Sequence, residues 1–140
     1  MEINWAWLHN WVINMVGVLV DACGWAALID AKLNMDLAMI GVIGEFELIL
    51  IKRVKDELET LSKSKRGLLL DLLEMRSTLI PDIKGIKYTD DMLIKFSIDN
   101  SWPVLTVDKE LKERLIIAGG SYIEVTSRRV LKLIGLRKGE

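Results

Sequence analysis

The stretch "VGVLVD", residues 16–21, is a continuous apolar run that ends in an acid. Such a run is typical of a β-strand that is buried on both faces of a sheet. A second stretch of this kind, "PVLTVD" at residues 103–108, also ends in an aspartate. Parallel strands share one carboxyl edge, so Asp21 and Asp108 are expected to lie at the same edge of the sheet.

Strand-like and helix-like segments alternate along the rest of the chain. Further strands are predicted at 46–51, 77–81 and 121–126, and helices at 24–33, 52–65, 67–76, 90–100 and 109–120. This alternation predicts an α/β fold, in which a central parallel sheet of four to five strands is covered by helices on both faces. The last stretch, "SRRVLKLIGLRK", is interpreted as a basic tail.

The composition indicates one globular domain. The chain has 140 residues, of which 51% are apolar and 28% charged, and its formal net charge is −1. This charge gives no bulk attraction to nucleic acid, so a polyanionic partner must be held locally. The only cysteine, Cys23, excludes an internal disulfide and suits the reducing cytoplasm. We expect a single domain at 15–140 after a Trp-rich lead-in at 1–14.

The lead-in raises the question of a membrane span, because Asp21 is the only charged residue between Trp5 and Ile29. Burying this acid in lipid would cost about 3 kcal/mol, which argues against a span. Glu2 stands where a signal peptide would carry basic residues. The lead-in is therefore expected to pack on the core or on a second subunit, and its apolar character suggests a homodimer.

Two further elements supply acids that are candidates for a site. On the helix at 52–65, Glu57 lies within about 70° of the centre of the apolar stripe, where an acid must be paired or bind a metal. The helix at 90–100 opens on Asp90 and Asp91, for which Thr89 can serve as the N-cap. The helical wheel favours Asp90 as the inward-facing acid and Asp91 as a capping or supporting acid. A helix start without any ligand remains an alternative for this pair.

The candidate acids thus come from four separate elements that can meet at one edge of the sheet: Asp21, Glu57, Asp90 or Asp91, and Asp108. Carboxylates brought close together cannot all stay ionised without a cation. Hard divalent ions that prefer oxygen ligands, Mg²⁺ or Mn²⁺, are the natural partners. Such sites polarise phosphates and activate water.

Four stretches in this order resemble the acidic motifs of PIN-domain nucleases: "VLVDACGW" (18–25), "VKDELETL" (54–61), "YTDDMLIKFSIDN" (88–100) and "PVLTVDKELKERL" (103–115). The resemblance covers roughly residues 15–126. It implies a three-layer α/β/α sandwich and a metal-dependent endoribonuclease that leaves a 5′-phosphate and a 3′-hydroxyl. Both VapC-type toxins and archaeal-type RNA-processing proteins fit this pattern.

The resemblance also implies the roles of individual residues. The catalytic residues would be Asp21, Glu57, Asp90 and Asp108, which together with Asp91 would hold one or two Mg²⁺ or Mn²⁺ ions. Asp91, Thr106 and Cys23 would support these ligands. Candidates for contacts with RNA phosphates are basic side chains that follow the strands, although each can also be simply a solvated charge: Lys52, Arg53, Lys109, Lys112, Arg128 and Arg129.

One departure from the family pattern lies directly after the first aspartate. Ala22 and Cys23 stand where the family has Ser or Thr followed by Asn, and neither side chain donates a hydrogen bond as well. A catalytically weakened PIN-fold module that binds RNA or protein is therefore the alternative function. A phosphate-binding domain of the response-regulator type ranks last, because no lysine ends the strand that carries Asp108. A toxin would also require an antitoxin partner.

Overall fold

The computed structural model describes residues 15–62 and 67–135. Its strands are β1 (Val16–Val20), β2 (Phe46–Ile51), β3 (Ser77–Ile80), β4 (Val104–Leu105), β5 (Ser121–Val125) and β6 (Leu131–Gly135). Its helices are α1 (Ala22–Asp30), α2 (Met35–Ile43), α3 (Lys52–Ser62), α4 (Gly67–Arg76), α5 (Thr89–Asn100) and α6 (Lys109–Ile117). The predicted Trp-rich lead-in, residues 1–14, lies outside the described residues.

The strands form one six-stranded sheet in the order β3-β2-β1-β4-β5-β6. All neighbouring pairs are parallel except β5 and β6, which run antiparallel. The α/β class with a central, mostly parallel sheet is confirmed. The predicted strand number was too low, because "LKLIG" within the supposed basic tail pairs with β5 as an edge strand.

The core follows from the apolar composition of the central strands. Val18, Leu19 and Val20 in β1 are fully buried, as are most residues of β2. The strand order reverses direction between β1 and β4, and right-handed crossovers then place helices on both faces of the sheet. Folds of this type bind ligands at the carboxyl ends of the strands that flank this reversal.

The elements on either side of the reversal are set by local interactions and by one close approach. Asp21 caps α1 by accepting a hydrogen bond from the Ala22 N–H, and Asp108 caps α6 by accepting one from the Leu111 N–H. Helix α1 passes so near β4 that a Cβ atom on Gly24 would lie 2.2 Å from the Leu105 carbonyl oxygen. This contact brings the start of α1 against the end of β4.

The start of α5 corrects one prediction. Thr89 is the first residue of this helix and not its N-cap; Tyr88 takes the cap position without a side-chain hydrogen bond. The Thr89 hydroxyl donates instead to Glu57 in α3. In the part of the chain described, every helix is too short or too polar to span a lipid bilayer.

Candidate functional site

A cleft of about 530 Å³ opens at the carboxyl ends of the central strands. Four predicted acids, Asp21, Glu57, Asp90 and Asp108, line it. Small side chains of α1 also line it, and Asp30 at the end of that helix adds a fifth carboxylate. The structure therefore brings together acids that follow β1 and β4 and acids that lie on α1, α3 and α5.

Asp21 is the most enclosed acid of the cleft, with 8% of its surface exposed. Its Oδ1 accepts a hydrogen bond from the Ala22 N–H at 2.9 Å. Its Oδ2 accepts from the hydroxyl of Thr106 at 2.8 Å and from the thiol of Cys23 at 3.1 Å. Three donors hold the carboxylate in a fixed orientation.

Thr106 joins the ends of β1 and β4. Its side chain is fully buried; it donates to Asp21, and its oxygen accepts from the backbone N–H of Asp108 at 3.1 Å. The predicted supporting contact with Asp108 is thus made through the Asp108 backbone and not through its carboxylate. One hydroxyl fixes the relative positions of two cleft residues.

Cys23 occupies the position at which the sequence departs from the family pattern. Its thiol lies 3.1 Å from Asp21 Oδ2 and 3.5 Å from the Thr106 hydroxyl. Burial first, and then the negative charge of Asp21, raise the pKa of the Cys23 thiol, so it stays protonated as a donor at neutral pH. A thiol is a weak donor, but it replaces part of what an amide would supply.

Glu57 reaches the cleft from a different position than the helical wheel suggested. It is exposed and does not face the core, which Val54 and Leu58 of the same helix occupy. The wheel was wrong because Glu57 lies on the flank of the apolar stripe, where its long side chain reaches solvent in the cleft. Its Oε1 accepts a hydrogen bond from the Thr89 hydroxyl at 2.7 Å.

The two neighbouring aspartates of α5 face different surroundings. Asp90 lines the cleft, and burial followed by the charges of Asp21 and Asp108 raises its pKa, while Arg114 opposes the shift. Asp91 instead forms an ion pair with Arg114 of α6. The structure therefore places Asp90, and not Asp91, among the lining residues of the cleft.

Asp108 is exposed at the mouth of the cleft. One of its carboxylate oxygens, Oδ1, accepts from the Leu111 N–H at 3.1 Å in the N-cap interaction. The cap fixes the direction of the side chain, because a capping carboxylate must point along the first turn of its helix.

Sequence reasoning missed two residues of the site. Asp30 follows Cys23, Ala26 and Ala27 on one side of α1, so helical periodicity could have found it. Thr89 carries no local signal for its contact with Glu57, because the hydrogen bond joins residues 32 positions apart.

Two of the predicted RNA-binding side chains, Arg53 and Lys112, make close contacts with other groups of the protein. Arg53 donates to the carbonyl oxygens of Ile86 and Lys87 and lies 3.7 Å from Asp82. Lys112 pairs with Glu124 at 2.7 Å. Lys52 is exposed and 3.6 Å from Asp56, and Lys109, Arg128 and Arg129 are exposed. Arg53 and Lys112 would have to leave protein partners to contact RNA.

The donor set of the cleft fits a hard divalent cation. Burial first, and then repulsion from Asp21 and Asp108, raises the pKa of Asp90, and a positive ion would relieve this repulsion. Among the described residues, no three Asp, Glu, His or Cys side chains converge closely enough to bind one ion together. Mg²⁺ keeps several waters and needs only one or two carboxylates, so this spacing is compatible with it.

Comparison with known proteins agrees with the geometry. The chain is 25% identical over 114 residues to Ribonuclease VapC4 of Methanocaldococcus jannaschii. This match covers 75% of this chain and 86% of that protein. It superimposes on the PIN domain endonuclease Utp24 with a TM-score of 0.71 and 21% identity, covering 86% of this chain and 92% of the other. No protein-family model matches. The predicted resemblance to PIN-domain nucleases is confirmed, and the fold is that of a PIN domain.

Proposed function

We propose that this chain, which has the fold of PIN-domain nucleases, is a Mg²⁺- or Mn²⁺-dependent endoribonuclease. The observation that carries the proposal is the cleft itself, where Asp21, Glu57, Asp90 and Asp108 lie together at the reversal point of the sheet. The similarity to a protein named as a ribonuclease supports RNA as the substrate. Asp91 is left out of the ligand set because it is paired with Arg114.

One or two of the four acids would hold each metal ion, with water as the remaining ligands, and the metal when bound would polarise a phosphodiester and activate water. Asp21 contributes a carboxylate whose orientation is set by Thr106 and Cys23. Asp108 contributes one whose direction is set by the cap of α6. These fixed side chains reduce the reorganisation that the site needs during reaction.

The proposal also concerns partners and cellular setting. We expect RNA as the substrate and the reducing cytoplasm as the setting, which the single cysteine suits. The name VapC on a similar protein favours an antitoxin partner. A homodimer is a further proposal, resting on the apolar composition of the chain.

The experiment that tests the function is cleavage of a fluorescent RNA oligonucleotide in Mn²⁺, in Mg²⁺ and in EDTA. Wild type should cleave only with metal and leave a 5′-phosphate. Asp108→Asn keeps an N-cap acceptor, because Asn caps as well as Asp, but removes the charge. We expect its rate to fall on the order of 100-fold, the size of losing one electrostatic contribution to the transition state.

Asp99→Asn is the matched control. Asp99 lies on α5, is exposed, and is not among the residues that line the cleft. Its carboxylate pairs with the Lys95 ammonium group at 2.9 Å. Its cleavage rate should equal that of the wild type. Cleavage that persists in EDTA, or that survives Asp108→Asn, would overturn the proposal.

The alternative is an RNA- or protein-interaction module without catalysis. The observation in its favour is that Ala22 provides no side-chain donor and Cys23 only a weak one next to Asp21. Wild-type protein that binds RNA without cleaving it in either metal would establish this alternative.

A further inference from the structure

We infer that Thr89 is a positioning residue that directs the Glu57 carboxylate into the acidic cleft. The inference rests on the proposed function, because it concerns how one of the proposed metal ligands is held. It assigns to Thr89 a role that the sequence did not suggest.

The hydrogen bond itself joins two walls of the cleft. The Thr89 hydroxyl of α5 donates to Glu57 Oε1 of α3 at 2.7 Å. Asp90, the next residue after Thr89, lines the same cleft as Glu57. The bond therefore sets the position of Glu57 relative to Asp90.

Glu57 needs such a contact more than the other acids do. Asp21 has three donors, and Asp108 is fixed by the helix cap. Glu57 is exposed, and its longer side chain has more rotamers to lose when it binds a metal. Thr89 reduces this loss by holding one carboxylate oxygen before a ligand arrives.

Thr89 is itself held in place by α3. The Arg53 guanidinium donates to the Ile86 carbonyl oxygen at 3.2 Å and to that of Lys87, and the Arg53 N–H donates to Asp82 at 2.9 Å. Arg53 and Glu57 are four residues apart and therefore lie on the same side of α3. Helix α3 thus makes two contacts with this region. Arg53 holds the segment before α5, and Glu57 accepts the hydrogen bond from the Thr89 hydroxyl.

The test compares Thr89→Val with Thr89→Ser in the full chain. Valine keeps the branched shape and loses the hydroxyl, whereas serine keeps the hydroxyl. Free Mn²⁺ is measured by electron paramagnetic resonance during titration, and the stability of the metal-free protein is measured by urea denaturation. Thr89→Val should weaken Mn²⁺ binding about tenfold, as is common when a group that orients a metal ligand is lost. Thr89→Ser should restore binding.

Two further results separate positioning from a structural role. The urea midpoint without metal should change little in Thr89→Val, because the bond lies at the surface. In a Glu57→Ala background, Thr89→Val should cause no further loss of Mn²⁺ affinity, because its effect passes through Glu57. An additive loss in that background would overturn the inference.

The outcomes distinguish this inference from the proposed function. A wild type that binds no Mn²⁺ up to millimolar concentration overturns both. If wild type and Thr89→Val bind Mn²⁺ equally tightly, only the role of Thr89 is overturned, and the metal site is supported.

Discussion

The two sides of the cleft hold their carboxylates by different means. On the strand side, Asp21 is buried and accepts hydrogen bonds from Ala22, Thr106 and Cys23. On the helix side, Asp90 is partly exposed, and burial followed by the negative charges of its neighbours raises its pKa. The strand side therefore holds its acid in place through hydrogen bonds, whereas the helix side holds an acid against the repulsion of its neighbours, which a bound cation would relieve.

Thr106→Val should give the largest effect and weaken the strand side. The variant removes a buried hydroxyl that donates to Asp21 and accepts from the Asp108 N–H. Asp21 Oδ2 would keep only the weak thiol donor and the Asp108 N–H would lose its bond to Thr106, which should lower the free energy of unfolding by about 2 kcal/mol. Urea denaturation measures the change, and Thr106→Ser, which keeps the hydroxyl, is the control. Equal stability of Val and Ser variants would show that this side does not depend on the hydrogen bond.

Cys23→Ala should have a smaller effect on the same side. The thiol is one of three donors to Asp21 and a weak one, so its loss should cost about 0.5–1 kcal/mol in the free energy of unfolding. Cys23→Ser supplies a stronger donor of similar size and should be at least as stable as the wild type. If the Ala and Ser variants have the same free energy of unfolding in urea, the thiol acts through packing and not through its hydrogen bond.

Asp90→Asn should have the smallest effect and the opposite sign. Because the folded-state pKa of Asp90 is raised, the folded protein binds more protons than the unfolded chain between the two pKa values. Its contribution to stability therefore falls as pH rises through this interval. Asp90→Asn removes the charge and should stabilise the metal-free protein at pH 7 on the order of 0.5 kcal/mol, since water screens this partly exposed group.

The neighbouring acid provides the comparison for this prediction. Asp91→Asn loses an ion pair with Arg114 and should slightly destabilise the protein at pH 7. Thermal denaturation at pH 7 and pH 4 measures both variants. The gain from Asp90→Asn should shrink at the lower pH, where more of the wild-type carboxyl is protonated; a gain independent of pH would exclude relief of repulsion as its cause.

Much of the strand side could be predicted because its signals are local. The buried apolar runs end in Asp21 and in Thr106–Asp108, and parallel strands bring their carboxyl ends together. The helix side was harder, because a helical wheel gives the direction of a side chain only to within a fraction of a turn. It separated Asp90 from Asp91 as the structure does, but it placed Glu57 toward the core when that residue is exposed.

The sequence by itself determined the alternation of strands and helices, and with it the edge of the sheet at which Asp21 and Asp108 meet. It did so because hydrophobic periodicity is set over a few consecutive residues. Only the tertiary structure decided that Thr89 contacts Glu57, that Arg53 holds the segment before α5, and that residues 131–135 pair as a sixth strand. Two of these contacts join residues more than 30 positions apart, and an edge strand depends on the neighbour it pairs with. Long-range contacts and the pairing of an edge strand leave no pattern in the local sequence.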